Sequence, residues 1–166
     1  MCGIFGYFDT KGKSLSKQQI KKMGDVIDYR GPDGRGVFVE PGLALGNQRL
    51  AILDIEHGQQ PFISDDDQVV VVQNGEIFNH VELAKELENT EFECRSHCDT
   101  EVILRLYQKH GINFLSKLNG MFAIAIWDNR QKALYLIRDR VGEKPLHYIN
   151  ESNRVVFGSE IKSILA

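Results

Sequence analysis

The sequence predicts an α+β fold in which antiparallel sheets stack on each other and helices lie outside. Three observations carry that prediction. Met121–Asp128 and Ala133–Arg138 form strands around the turn Asp128-Asn129-Arg130-Gln131, and both are apolar on both faces. Phe122, Ile124 and Ile126 point one way and Ala123, Ala125 and Trp127 the other; Leu134 and Leu136 alternate with Tyr135 and Ile137. An antiparallel hairpin in a two-layer protein usually wets one face, so this one needs a second sheet on one side and helices on the other. Val69–Val72 is a second run that is apolar on both faces. The third observation is size: 166 residues suit a single domain, 1–166, and bury a real core without a disulfide or metal staple. No repeat, low-complexity tract or Pro/Gly/Ser-rich linker divides it.

The elements follow in order. Ile4-Phe5-Gly6-Tyr7-Phe8 is a strand by its bulky apolar content. Ser16 caps a helix through about Ile27, with Ile20, Met23 and Ile27 on one face. Arg30-Gly31-Pro32-Asp33-Gly34 is a turn, and short strands follow near Val37–Glu40 and Leu43–Leu50. Val69–Val72 ends in the turn dipeptide Asn74-Gly75. His80–Leu87 reads as helical, with Val81, Ala84 and Leu83 or Leu87 inward. Asp99 is the expected N-cap of a helix through Lys109, with Gly111 just past its end. Ile112–Leu118 is a shorter helical piece. After the central hairpin, Leu146–Ile149 and Val155–Gly158 pair, and Glu160–Leu165 closes the chain as a helix.

Composition narrows the function classes. Twenty basic and 23 acidic residues give a net charge of −3, without the basic face that nucleic acid or an anionic membrane requires. No apolar run approaches ~18 residues, and the N-terminus is no secretory signal. Three cysteines at uneven spacing are not a disulfide framework, so the expected compartment is reducing and cytoplasmic. Cys94, His97 and Cys98 lack the second ligand pair of a structural zinc site.

Chemistry first suggests itself at Met1-Cys2-Gly3. Cysteine is small enough for methionine aminopeptidase to remove the initiator before it. Cys2 would then carry a free α-amine, a group that ordinarily titrates at about 7.7–8.0 and can take the proton of its own thiol. The terminus leads at once into an apolar strand, which would hold Cys2 in place, and Gly3 and Gly6 leave room for a close approach. Gln73-Asn74-Gly75-Glu76, after a buried strand, offers backbone N–H groups and a side-chain amide of the kind that hold an oxyanion. Arg49 ends an apolar strand, where its fork suits a substrate carboxylate or an internal salt bridge to Asp33 or Asp54.

The ordered motifs resemble those of class II glutamine amidotransferase domains of the asparagine synthetase kind, which have the N-terminal-nucleophile hydrolase fold. They are Met1-Cys2-Gly3-Ile4-Phe5-Gly6, Arg30-Gly31-Pro32-Asp33-Gly34, Arg49-Leu50-Ala51-Ile52-Leu53-Asp54, Asn74-Gly75-Glu76-Ile77-Phe78-Asn79-His80 and Asp99-Thr100-Glu101-Val102-Ile103-Leu104. Leu118-Asn119-Gly120-Met121-Phe122-Ala123, Arg138–Leu146 and Phe157-Gly158-Ser159-Glu160-Ile161-Lys162 complete the series. Each motif is weak, but together and in this order they are specific. The Arg-Gly-Pro-Asp form resembles the asparagine synthetase branch.

The resemblance implies a four-layer αββα sandwich of two antiparallel sheets flanked by helices. It implies hydrolysis of L-glutamine to glutamate and ammonia through a thioester. Cys2 would be the nucleophile and its amine the base, with Asn74 and Gly75 forming the oxyanion hole. Arg49 would hold the substrate carboxylate, Glu76 and Asp99 its ammonium, and backbone around Ile52 would help seat it. The domain itself would need no cofactor; ATP and Mg are expected only in a C-terminal synthetase domain or subunit, which this sequence lacks. A truncated chain is the favoured reading over a stand-alone glutaminase subunit, and a homo-oligomer is compatible with the sequence. One departure stands out: Asn47 occupies a position where the family usually has histidine. It is the main support for a competing reading, a non-catalytic docking module. A third reading is an amidotransferase whose ammonia goes to an acceptor other than aspartate.

Overall fold

The computed structural model describes residues 1–166 in full. The strands and helices run β1 (Gly3–Asp9), α1 (Lys17–Asp25), β2 (Gly34–Glu40), β3 (Leu43–Arg49), β4 (Phe62–Ile63), β5 (Val69–Ile77), α2 (His80–Lys85) and α3 (Asp99–His110). They continue as β6 (Gly120–Asp128), β7 (Ala133–Arg138), β8 (His147–Glu151), β9 (Arg154–Gly158) and α4 (Ile161–Leu165). Short 3₁₀ helices occupy Asp28–Arg30 and Gly111–Lys117. One antiparallel sheet has the order β2-β3-β1-β9-β8 and the other β4-β5-β6-β7.

Period-two alternation sorts the side chains into three apolar layers. Ile4, Leu43, Leu45, Val70, Val72, Ala123, Ala125, Trp127 and Phe157 fill the space between the sheets. The alternate residues Val69, Val71, Phe122, Ile124 and Ile126 pack against α2, α3 and the 3₁₀ helix through Leu83, Val102, Ile103, Leu106 and Phe114. Phe5, Tyr7 and Ala44 pack against α1 through Ile20 and Met23, joined by Ile27 just beyond the helix. The hydroxyl of Ser163 on α4 donates to the Met23 carbonyl at 2.6 Å, which ties α4 to α1 on the same outer face. The result is the four-layer αββα sandwich, and the doubly apolar hairpin is explained by it. Gly6 faces the inter-sheet layer, where a Cβ would fall 2.4 Å from the Phe157 ring, so its space serves packing.

Ser16 caps α1 as expected: its side chain accepts the Gln19 N–H while the Gln19 side chain accepts the Ser16 N–H. Three local readings need correcting. β5 does not turn at Asn74-Gly75; it continues to Ile77, paired with β6 down to Gly120. A nine-residue ladder outweighs the local turn preference of the dipeptide. Cys98, not Asp99, takes the N-cap position of α3, with no side-chain cap bond, because the Asp99 carboxylate turns inward. Val81 is exposed; Leu83 is the buried residue of α2, Ala84 packs against the same core, and Leu87 is buried just past the helix end. The two-residue β4 gives no sequence signal, and the helical piece expected at Ile112–Leu118 is a 3₁₀ helix over Gly111–Lys117.

Candidate active site

The ends of β1, β3 and β5 and the start of α3 meet around one open cleft of about 160 Å³. Every predicted site residue lines it: Cys2, Arg49, Ile52, Asn74, Gly75, Glu76 and Asp99. Met1, Leu50, Gln60, Cys98, Thr100, Met121 and Lys144 complete its main walls.

Cys2 sits where β1 begins. Its sulfur accepts the Leu50 N–H at 3.3 Å, and its carbonyl accepts Arg30 Nε at 2.9 Å. Arg30 pairs in turn with Glu160 at 2.9 Å. The Arg30 and Glu160 motifs, distant in sequence, thus clamp the backbone that carries the thiol. Cys98 also lines the cleft, but burial, then the Asp99 carboxylate, pushes its thiol up to about 11, so it stays protonated and unreactive near neutrality.

The opposite wall is built by β5. Phe78 N–H donates to the Asn119 carbonyl, so even-numbered residues of β5 direct their N–H groups at β6. Odd-numbered residues direct theirs the other way. Gln73 N–H goes to Gln60 Oε1 at 2.6 Å and Ile77 N–H to Asp99 Oδ2 at 2.9 Å. Gly75 N–H lies between them and faces the cleft. Glycine is required there: its φ is 154°, and a Cβ would fall 2.1 Å from the Met121 carbonyl oxygen. The Asn74 side chain is 1% exposed, with Nδ2 3.5 Å from Ser159 Oγ, which itself accepts the Ile4 N–H at 2.9 Å.

Asp99 Oδ2 also accepts Gln73 Nε2 at 3.0 Å, and Gln73 Oε1 accepts the Thr100 hydroxyl at 3.0 Å. Gln60 closes the ring by donating Nε2 to Thr100 Oγ1 at 3.2 Å. This buried network fixes the position of the Asp99 side chain. Glu76, half-buried on the same wall, has no hydrogen-bond or ion-pair partner. Ile52 is exposed at the rim.

Arg49 makes neither of the salt bridges considered for it. Its guanidinium donates to the main-chain carbonyls of Leu53, Asp54 and Ile55. Asp33 instead accepts Ala51 N–H, and Asp54 accepts the N–H groups of His57 and His97. Those bonds, His97 first, hold the Asp54 carboxyl below the usual carboxylate range. Arg49 therefore brings a buried charge to the cleft with no carboxylate on it. Asn47, fully buried, spans the sheets: Nδ2 donates to the Gln73 carbonyl at 2.9 Å, and Oδ1 has no partner.

A family model described as "Glutamine amidotransferase domain" matches residues 1–166. This chain belongs to the glutamine amidotransferase domain family. It is 41% identical over its whole length to asparagine synthetase [glutamine-hydrolyzing] 2 of Bacillus subtilis, of which it covers 22%. It is 34% identical to amidase chyE of Penicillium rubens, covering 26% of that protein. The chain thus spans about a quarter of the length of these curated relatives. Among solved structures, the glutamine phosphoribosylpyrophosphate amidotransferase of B. subtilis superposes with a TM-score of 0.80 at 23% identity, over 98% of this chain and 42% of that one. That likeness shows a shared sandwich fold.

Several residues of the amidotransferase domain escaped the sequence reading. Gln60 gives no signal in a loop, and its role exists only through β5 and α3. Ser159 and Glu160 stood in a recognised motif, but their contacts with β1 and Arg30 span about the whole chain. Lys144 stood in the Arg138–Leu146 motif with no role attached.

Proposed function

We propose that this domain hydrolyses L-glutamine to glutamate and ammonia with Cys2 as an N-terminal nucleophile. The observation that supports the reading is the convergence, in one cleft, of a thiol, the Asn74 amide, the Gly75 backbone, a guanidinium with no carboxylate on it and two carboxylates. A zwitterionic amino acid needs one cation and an anion at fixed separation, and an amide lacking that head would leave the buried charges unpaired.

Once Met1 is removed, the Cys2 amine accepts the thiol proton, and the sulfur adds to the side-chain amide carbon. The carbonyl electrons move to oxygen, where the Asn74 amide and the Gly75 N–H receive the charge. Collapse breaks the carbon–nitrogen bond, and ammonia leaves with the proton held by the amine. Water then adds to the thioester, giving glutamate and restoring the thiol. Arg49 holds the α-carboxylate; Asp99 and Glu76 hold the α-ammonium.

The ammonia passes to an ATP-dependent amide-forming domain or subunit, with aspartate as the acceptor. The 41% identity to an asparagine synthetase, and that relative's much greater length, support this. The similarity to amidase chyE favours, as a second reading, an acceptor other than aspartate. Asn47 keeps an inter-sheet bond at the histidine position, which speaks against a decayed docking module. The test is glutamate release from glutamine by the chain that begins at Cys2, together with mass-spectrometric labelling by a glutamine-mimicking electrophile. Labelling at Cys2 and turnover support the enzyme. Neither, in a folded and processed sample, would leave the docking reading.

A further inference from the structure

Lys144 is 8% exposed and lines the cleft, yet no carboxylate or carbonyl accepts from its ammonium. Nζ has one polar neighbour, Met1 Sδ at 3.6 Å. The other buried cations are compensated: Arg105 by Glu101 and Asp65, Arg30 by Glu160, Arg49 by three carbonyls. An unpaired buried ammonium is costly, and this one is held in place by its loop. Asp139 accepts the N–H groups of Phe122, Val141, Glu143 and Lys144. Arg138 donates to the carbonyls of Gly142 and Lys144 from the other side. The loop that presents Lys144 is thus fixed by side chains at both of its faces.

Removal of Met1 deletes the one polar neighbour of Nζ and leaves the Cys2 amine as the chain terminus on the same cleft that Lys144 lines. The charged and titratable groups around that amine are Arg49, Glu76, Cys98 and Asp99 in the cleft, and Arg30 with Glu160 behind the Cys2 carbonyl. Glu76 and Asp99 favour a charged amine, which cannot accept a proton. The charge of Arg49 is directed at loop carbonyls and that of Arg30 at Glu160. Resting on the function proposed above, we infer that Lys144 is a positioning residue for charge: its ammonium keeps the mature Cys2 amine uncharged and ready to act as base. A like charge nearby disfavours the charged form of its neighbour.

The experiment titrates the amine without glutamine. A Cys2→Ser background with Met1 removed takes away the neighbouring thiol, and the peptide readout isolates the terminal amine from other groups. Limited acetylation with acetic anhydride across a pH series, read by peptide mass spectrometry, gives its midpoint. Lys144→Met should raise that midpoint by about one pH unit, and Lys144→Arg should leave it near the parent. With Cys2 restored, the acid limb of kcat/KM for glutamine should move the same way in Lys144→Met, with kcat recovering at alkaline pH. Lys144→Gln serves if the methionine variant does not fold. Coincident midpoints for the parent and the neutral variants overturn the inference, whether or not the parent hydrolyses glutamine. An inactive parent whose amine still shifts would overturn the glutaminase reading instead.

Discussion

The two halves of β5 share one ladder and carry opposite tasks. Val69–Val72 is fully buried and apolar, its side chains dividing between the inter-sheet layer and the helix layer. Gln73 and Asn74 are buried as deeply, at 1% exposure each, but are polar, and Gly75 has no side chain at all. Burial alone therefore does not separate core from site. The separation lies in what the polar groups are bonded to, and in whether any donor is left facing the cleft. Damage to the first half should appear in stability, and damage to the second half in catalysis.

Asn74→Ala should break the comparison most visibly, lowering kcat by roughly 10²–10³ with little change in the denaturation midpoint, because an oxyanion donor acts in the transition state. Steady-state glutamate release and a urea titration on the same sample check it. Val71→Ala should do the reverse, losing about 2 kcal/mol of stability with kcat nearly intact in the folded fraction. Arg49→Lys sharpens the site half: KM for glutamine should rise roughly tenfold with a smaller change in kcat, because the planar fork is lost. An unchanged KM would remove Arg49 from carboxylate binding.

Asp139 supplies a pH test of the loop that carries Lys144. Burial pushes its carboxyl up, but the backbone N–H bonds of Lys144, Glu143 and others outweigh it, and the net direction is down. A depressed folded-state value stabilises the protein above the ordinary carboxylate pKa. That contribution is lost as pH falls through the depressed value. Urea midpoints should fall between near-neutral and strongly acid conditions, and by less in Asp139→Asn than in the parent. Smallest of all, Val81→Ser on the exposed face of α2 should change stability by no more than about 0.5 kcal/mol.

Much of this was legible in the sequence, and the reasons differ by residue. The double-faced hairpin at Met121–Arg138 announced a covered sheet because alternation reports directly on both faces of a strand. Ser16 announced α1 because a capping box is local chemistry. The motif order brought Cys2, Arg49, Asn74, Gly75 and Asp99 into view as one set, and the fold places them around one cleft. What could not be read depended on partners far along the chain. Asn74-Gly75 looked like a turn because nothing local reveals that β6 pairs through it. Asp99 looked like a cap because its acceptor role needs Gln73 and Ile77 beside it. An internal salt bridge stayed open as an alternative for Arg49 because the loop carbonyls that hold it only gather once Leu53–Ile55 curls back.

The proposed chemistry rests on a terminal cysteine supplying both sulfur and base. The most direct measurement compares two preparations, verified by intact mass, one beginning at Cys2 and one retaining an uncleaved Met1. Glutamate should form from glutamine only in the first. Equal rates in both would contradict the mechanism, since the amine in the second is tied up in a peptide bond.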